Sequence, residues 1–289
     1  MNRRGAALLV MLGAVFMSSV GVFLRMIESA DGFQILFYRS IALTALIAGI
    51  ICLRRRLPLS AAIRSLDRQD VVVGFFLSLA FTFYIFAILN TSVASTLFIL
   101  TAAPLLAASM AWIWIGEKPH PFTWAAMIMT SGGVFLMIGD GLSSGRSLGN
   151  FFALMTGLCF ALMLVFARRG RKTDILGGTL IAGVLSGIYG VVWSLFFGNG
   201  LAVEAGDFWL IVAMGGLAIG PGIACVTWGT PYLPAAEVSL LVLLESALGP
   251  VWVWLFGFEK ISRLEFVGGT IVFAAVIALS LFTGRRQIH

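Results

Sequence analysis

The sequence predicts an all-α integral membrane protein of ten transmembrane helices, arranged as two inverted five-helix repeats. Three observations carry this prediction. Hydrophobic residues make up 60% of the chain and charged residues 11%, with a mean hydropathy of +1.03. A soluble domain carries about 25% charged residues. So little polar surface cannot cover a water-facing globule, and the bilayer must be the solvent for most side chains. Second, apolar runs long enough to cross about 30 Å of hydrocarbon follow one another through all 289 residues. Third, the two halves repeat at a constant offset of 142 residues.

The runs fall, in order, at 5–24, 33–53, 71–90, 93–115, 122–139, 149–167, 175–198, 208–230, 235–257 and 264–284. The first follows Arg3 and Arg4. It is longer than a signal-peptide core and lacks a small-x-small cleavage site, so a retained span is expected. Between the others stand Glu28 to Asp31, Pro58, Asn90-Thr91, Pro119, Gly139-Asp140-Gly141, Gly170, Asn199 and Pro231 to Pro234. These gaps are short, so neighbouring helices run antiparallel.

Basic residues set the orientation. With the N-terminus in the cytoplasm, the inner segments hold Arg3, Arg4, Arg54, Arg55, Arg56, Arg64, Arg68, Lys118, Arg168, Arg169, Arg171, Lys172, Arg285 and Arg286. The outer segments hold only Arg25, Arg146, Lys260 and Arg263. This fourteen-to-four bias predicts both termini inside and an even number of spans. Trp112, Trp114, Trp124, Trp209, Trp252 and Trp254 sit near run ends, where indoles favour the interface. The net charge of +6 and pI of 9.7 therefore report membrane orientation and not nucleic-acid binding.

The offset of 142 places Ala94 on Ala236, Leu106 on Leu248, Trp112 on Trp254, Glu117 on Glu259 and Lys118 on Lys260. Trp-x-x-x-x-Glu-Lys thus occurs twice, each time closing a long apolar run. The halves divide as residues 1–142 and 143–289. Five helices per half force opposite insertion, which puts a solute site near the midplane between the halves and gives alternating access a structural basis.

Several stretches also resemble a known family. They are Phe37-Tyr38-Arg39-Ser40, Asn90 to Ser95, and Thr101 through Pro104 to Lys118. In the second half they are Leu233 to Ser239, Leu243-Leu244-Glu245-Ser246 and Glu259-Lys260. Together they resemble the EamA module of the drug/metabolite transporter superfamily, over nearly the whole chain. The resemblance implies ten helices and a central cavity lined mainly by helices 1, 3, 4, 6, 8 and 9. Among members the chain looks most like the YddG-type exporters of aromatic amino acids. The family usually has Glu-Pro where this chain has Glu245-Ser246, so a proline kink there is not implied.

Candidate residues follow from depth and chemistry. Arg39 lies inside the second run; a charge there is costly and needs protein, water or a partner around it. It can bind a solute carboxylate or serve as a structural cation. Glu245, about ten residues into the ninth run, is about 15 Å deep and can couple proton movement or act as a hydrogen-bonded structural acid. Glu237 in the same helix's first turn reads as a dipole-complementing cap. Ser78, Thr82 and Tyr84 on helix 3, and Ser95, Phe98 and Thr101 on helix 4, put hydroxyls beside aromatic rings. That mixture suits a zwitterion with an apolar side chain, although Ser and Thr also serve helix packing. Ser95, Phe98, Ala102 and Leu105 share one helical face. Phe160, Met163 and Trp228 are further cavity candidates, with lipid-facing or interfacial placement open for each. Gly220-Pro221-Gly222 predicts a kink or hinge in helix 8, with close packing through small residues as the other reading.

Other function classes fare worse. The histidines, His120 and His289, lie in a loop and at the terminus. No Asp lies within an apolar run apart from loop-adjacent Asp140, so no catalytic set assembles for an intramembrane enzyme. No filter motif suggests a channel. Cys52, Cys159 and Cys225 show no C-x-x-C spacing and suggest neither disulfide nor metal. No Gly-x-x-x-x-Gly-Lys-Ser/Thr loop is present, so ATP is not the direct driver. The expected molecule is a secondary exporter of small amphipathic metabolites, with aromatic and other neutral amino acids leading, and hydrophobic cations, drugs or nucleosides as alternatives. It needs no cofactor, works as a monomer or homodimer, and sits in a plasma membrane, a bacterial inner membrane on this reading.

Overall fold

The computed structural model describes residues 3–56, 58–115, 121–143, 145–170, 175–233 and 235–286, and every regular element in them is helical. The helices group into ten units. They are α1 (Arg3–Ser18 and Val20–Met26), α2 (Gly32–Arg55), α3 (Arg68–Asn90), α4 (Val93–Leu100 and Ala103–Ile115) and α5 (Pro121–Ser143). The second half continues with α6 (Ser147–Arg169), α7 (Leu176–Phe197), α8 (Ala205–Gly229), α9 (Ala235–Leu255) and α10 (Arg263–Arg286). A short helix, Leu59–Arg64, joins α2 to α3. Among the described residues, seven of the units are long and apolar enough to cross a membrane, and α5 and α9 contain the shorter apolar stretches Trp124–Leu136 and Leu241–Leu255. Large apolar side chains such as Leu53, Phe135 and Phe196 face outward, as a lipid-contacting surface requires.

The helices start and stop where the apolar runs do, within a few residues. One boundary differs: α5 continues through Gly139-Asp140-Gly141 to Ser143, because a helix in lipid keeps its own hydrogen bonds where glycine would end one in water. Helix starts are capped by the acids between the runs. Asp31 accepts from the Phe33 and Gln34 amides at 2.9 Å, and the Asp31 amide donates in return to Gln34 Oε1 at 2.9 Å. Asp31→Ala removes the side-chain half of this capping box, leaving the Phe33 and Gln34 amides without their acceptor. The expected loss is about 1 kcal/mol, read as a lower melting temperature in detergent; an unchanged melt would show that the cap adds nothing.

Contacts between helices repeat across the halves. α3 packs along α6 as α8 packs along α1; α4 meets α6 as α9 meets α1; α7 lies on α3 as α2 lies on α8. The pairs α2–α7, α4–α9 and α5–α10 join equivalent helices. That pattern is a pseudo-twofold axis between two five-helix units, and antiparallel neighbours in odd number make them inverted. Chain order around the interior runs α3, α6, α4, α9, α1, α8 and back through α2 to α3.

Three spans are interrupted near mid-depth. α1 breaks at Ser19, where Ser18 and Ser19 donate back to the Val15 and Phe16 carbonyls at 2.7 Å, a competing bond that loosens a helix. α4 breaks at Thr101-Ala102, because Pro104 has no N–H to continue the ladder. α8 passes through a π-helical stretch, Met214–Ile219, before Gly220-Pro221-Gly222. The halves differ here, since α9 carries Pro250 and stays continuous.

Candidate functional site

Arg39, Tyr84 and Glu245 come from α2, α3 and α9, so both halves contribute. Arg39 lies seven residues into α2 and Tyr84 six from the end of α3, each about 10 Å from the same face of the bundle at 1.5 Å per residue. Tyr84 lies within electrostatic reach of both Arg39 and Glu245. Tyr84 and Glu245 are each partly buried. Among the described residues no protein group bonds the Tyr84 hydroxyl or the Glu245 carboxylate.

Arg39 is only 1% exposed. Its guanidinium carbon stands 5.0 Å from the centroid of the Phe81 ring, a cation–π contact. Phe81 and Tyr84 are three apart on α3 and share a face. Arg39 Nε and Nη2 are buried with no hydrogen-bond partner among the described residues. α2 can deliver this side chain inward because Gly215 of α8 lets the backbones meet: a Cβ there would lie 2.4 Å from the Arg39 carbonyl oxygen. A peripheral helix thereby puts a cation between α8 and α3.

The other sequence candidates take different places. Ser78 is buried with its hydroxyl donating to the Phe75 carbonyl at 2.7 Å, and Thr82 donates to Ser78 O at 2.9 Å. Ser186 of α7 also donates to Ser78 O, so these two lie toward α7. Phe160 and Met163 pack with Val73, Leu77 and Phe81 between α6 and α3. Trp228 is 40% exposed. Thr101 donates to Leu97 O at 2.8 Å beside the α4 break. The face of Ser95, Phe98, Ala102 and Leu105 is turned toward α5 and α10. Ser95 bonds Glu265, Phe98 covers Gly269, and Ala102 and Leu105 line a ≈ 210 Å³ cavity with Thr130, Val134 and Gly157. In α8, Gly220 faces Leu46 and Gly222 faces Gly13 and Met17 of α1 at distances that leave no room for a Cβ. The side chain of Glu237, and the residues Glu117, Lys118, Pro119, His120, Arg171, Lys172 and His289, lie outside those described.

A second polar cluster, missed by the sequence reading, closes one end of the bundle. Arg25 Nε donates to Glu259 Oε1 at 2.6 Å and its Nη2 to the Thr91 carbonyl at 2.7 Å. Glu259 also accepts from the Val93 amide at 3.0 Å. Burial pushes the Glu259 carboxyl above its ordinary value, against the opposing pull of Arg25 and of that amide. Glu265, fully buried, accepts from Arg146 Nη1 at 2.7 Å, Ser95 Oγ at 2.8 Å, the Ser262 amide at 2.9 Å and Ser92 Oγ. Second-half acids thus hold the first turn of α4, whose cap is Ser92. The available signal was charge: Arg25, Arg146 and Lys260 are three of four basic residues on the otherwise depleted face.

Comparison with known proteins agrees with the geometry. The model of the EamA-like transporter family matches twice, at residues 4–139 and 147–281. Twenty-four chains of solved structures are similar. One, described as a crystal structure of a protein, superposes with a TM-score of 0.66 at 17% identity, covering 96% of this chain and 98% of its own; that likeness shows the fold. No curated protein matches the sequence.

Proposed function

Since the chain belongs to the EamA-like transporter family, we propose that it is a secondary carrier that exports small amphipathic metabolites, aromatic and other neutral amino acids first, by alternating access between its two halves. The supporting observation is the convergence of Arg39, Tyr84 and Glu245 on the interior from both halves. An amino acid needs a cation for its carboxylate, an acid for its ammonium and apolar walls for its side chain. Arg39 meets the first need. Glu245 meets the second, or carries a coupled proton. Phe81 and the faces of the surrounding helices supply the walls. The π-helical stretch before Gly220-Pro221-Gly222 is the hinge on this reading, and the α4 break at Thr101 is a second bending point, in the first half. The YddG-type exporters are the members whose pattern fits best. The basic bias of the inner segments supports a bacterial inner-membrane protein with both termini cytoplasmic.

The test is flux in liposomes. Purified protein is expected to move Phe, Trp or Tyr well above the empty-vesicle rate, and Glu245→Gln to cut that flux at least tenfold with the protein still folded. Amino-acid flux at the empty-vesicle level, with transport of nucleosides or hydrophobic cations instead, would reassign the substrate within the same family.

A further inference from the structure

The second part of α1, Val20–Met26, is a separate helical piece with a pivot at each end. At Ser19 the helix slackens. The Ser19 amide bonds the Phe16 carbonyl three residues back, at 3.2 Å, and the Ser18 and Ser19 hydroxyls take the Val15 and Phe16 carbonyls. Past Met26 the backbone becomes extended at Ile27. There one carboxylate, Asp207 in the first turn of α8, accepts from the Glu28, Ser29 and Ala30 amides at 3.3, 2.7 and 3.0 Å and from the Ser29 hydroxyl at 2.6 Å. Between the pivots, Val20, Gly21 and Leu24 are buried. Gly21 lies on the seam between the halves: a Cβ there would stand 2.7 Å from Val93 Cγ1 of α4 and 3.4 Å from Val253 Cγ2 of α9.

Arg25, in the last turn of this piece, fastens it to Glu259 and to the Thr91 carbonyl. The Arg25–Glu259 pair differs from the neighbouring Arg146–Glu265 pair in its access to water. A recess of ≈ 310 Å³, lined by Arg25, Asn90, Thr91, Arg146, Glu259 and Lys260 among others, opens over it. Glu259 keeps 13% of its side chain exposed and Arg25 25%, whereas Glu265 keeps none. An ion pair that water reaches exchanges partners readily; a buried one cannot be broken without leaving a desolvated charge.

We propose that Val20–Met26 is a gate over the α4–α9 seam, pivoting at Ser19 and at the turn held by Asp207, and that Arg25–Glu259 is its latch. Release of the latch opens this end of the bundle, while Glu265 stays bound to Ser92 and Ser95 and keeps α10 with α4. The proposal rests on the carrier reading and assigns the contact that one of its two alternating openings must unfasten.

Labelling of a cysteine beneath the gate tests this without any substrate. Val253→Cys is made in full-length protein carrying Cys52→Ala, Cys159→Ala and Cys225→Ala; Val253 is fully buried and takes no part in the latch. The protein, in lipid nanodiscs, is exposed to a water-soluble maleimide. Arg25→Gln, Glu259→Gln and the double variant, which leaves no unpaired charge, are each expected to raise the labelling rate about fivefold. Arg25→Lys, which keeps the charge and loses the two-armed hold on Glu259 and Thr91, should fall between. Glu265→Gln is the control for general loosening and should leave the rate near that of the intact latch. The double variant stands in for a single one that elutes as aggregate. Rates unchanged by the latch variants, or raised as much by Glu265→Gln, overturn the gate. If that happens while phenylalanine flux in liposomes is normal, the gate falls and the carrier reading stands. If phenylalanine does not cross while the latch variants still speed labelling, the amino-acid reading falls and the gate stands.

Discussion

Glu265→Ala is expected to lower the melting temperature of the detergent-solubilised protein by about 10 °C, the largest loss from any single polar truncation in the molecule. The carboxylate is fully buried and accepts from four donors, one of them the Arg146 guanidinium at 2.7 Å. Removing one partner of a buried, hydrogen-bonded ion pair costs about 3–5 kcal/mol, because the remaining charge and polar groups stay desolvated. At about 2–4 °C per kcal/mol for a chain of this order of size, that becomes a shift near 10 °C. Ser92, Ser95 and the Ser262 amide would also lose their acceptor. Glu265→Gln, which keeps the shape and part of the accepting capacity, should lose about half as much. A melting temperature within about 2 °C of wild type for the Ala variant would show that water replaces the carboxylate without cost, and that the cluster is not a structural tie.

Gly149→Val should abolish folded protein, with no monodisperse peak on size-exclusion chromatography. A Cβ at this position would lie 2.4 Å from the Asn90 carbonyl carbon and 2.5 Å from both the Asn90 oxygen and the Thr91 nitrogen. All three are backbone atoms at the end of α3, so no side-chain rotation relieves the clash. Overpacking costs about 1–3 kcal/mol where neighbours can shift, and more where they cannot. The control is Gly49→Ala, where nothing lies within 4 Å of the added carbon. It is expected to be neutral or to stabilise by up to about 1 kcal/mol, as alanine does in a helix interior. A folded Gly149→Val protein would mean that α3 and α6 can separate at this end without loss of the bundle.

Both predictions fall at places that a one-dimensional reading passes over. Gly149 was one small residue at the edge of an apolar run. Its weight comes from α6 lying along α3, a contact set by the fold. Glu265 was an acid in the first turn of a helix, a pattern that capping explains in any soluble protein. Its partners Arg146, Ser92 and Ser95 are 119, 173 and 170 residues away in the chain. Ser95 itself illustrates the difficulty: its spacing with Phe98 and Ala102 assigns a shared face, and spacing cannot say which neighbour that face meets.

The sequence by itself determined the solvent, the helical class, the order and approximate ends of the spans, and the division into two related halves. Each follows from local properties: hydrocarbon leaves a backbone no water to bond, so apolar runs of sufficient length become helices whatever surrounds them. It also marked Arg39 and Glu245, since a charge inside an apolar run is conspicuous on composition alone. Only the tertiary structure decided what those charges face. It brought Tyr84 within electrostatic reach of both, set Phe81 against the guanidinium, left Arg39 Nε and Nη2 buried without a partner among the described residues, and turned the Ser95 face toward α10. The reason is geometric: a helix presents every direction around its axis, and which direction is interior depends on where the other nine lie.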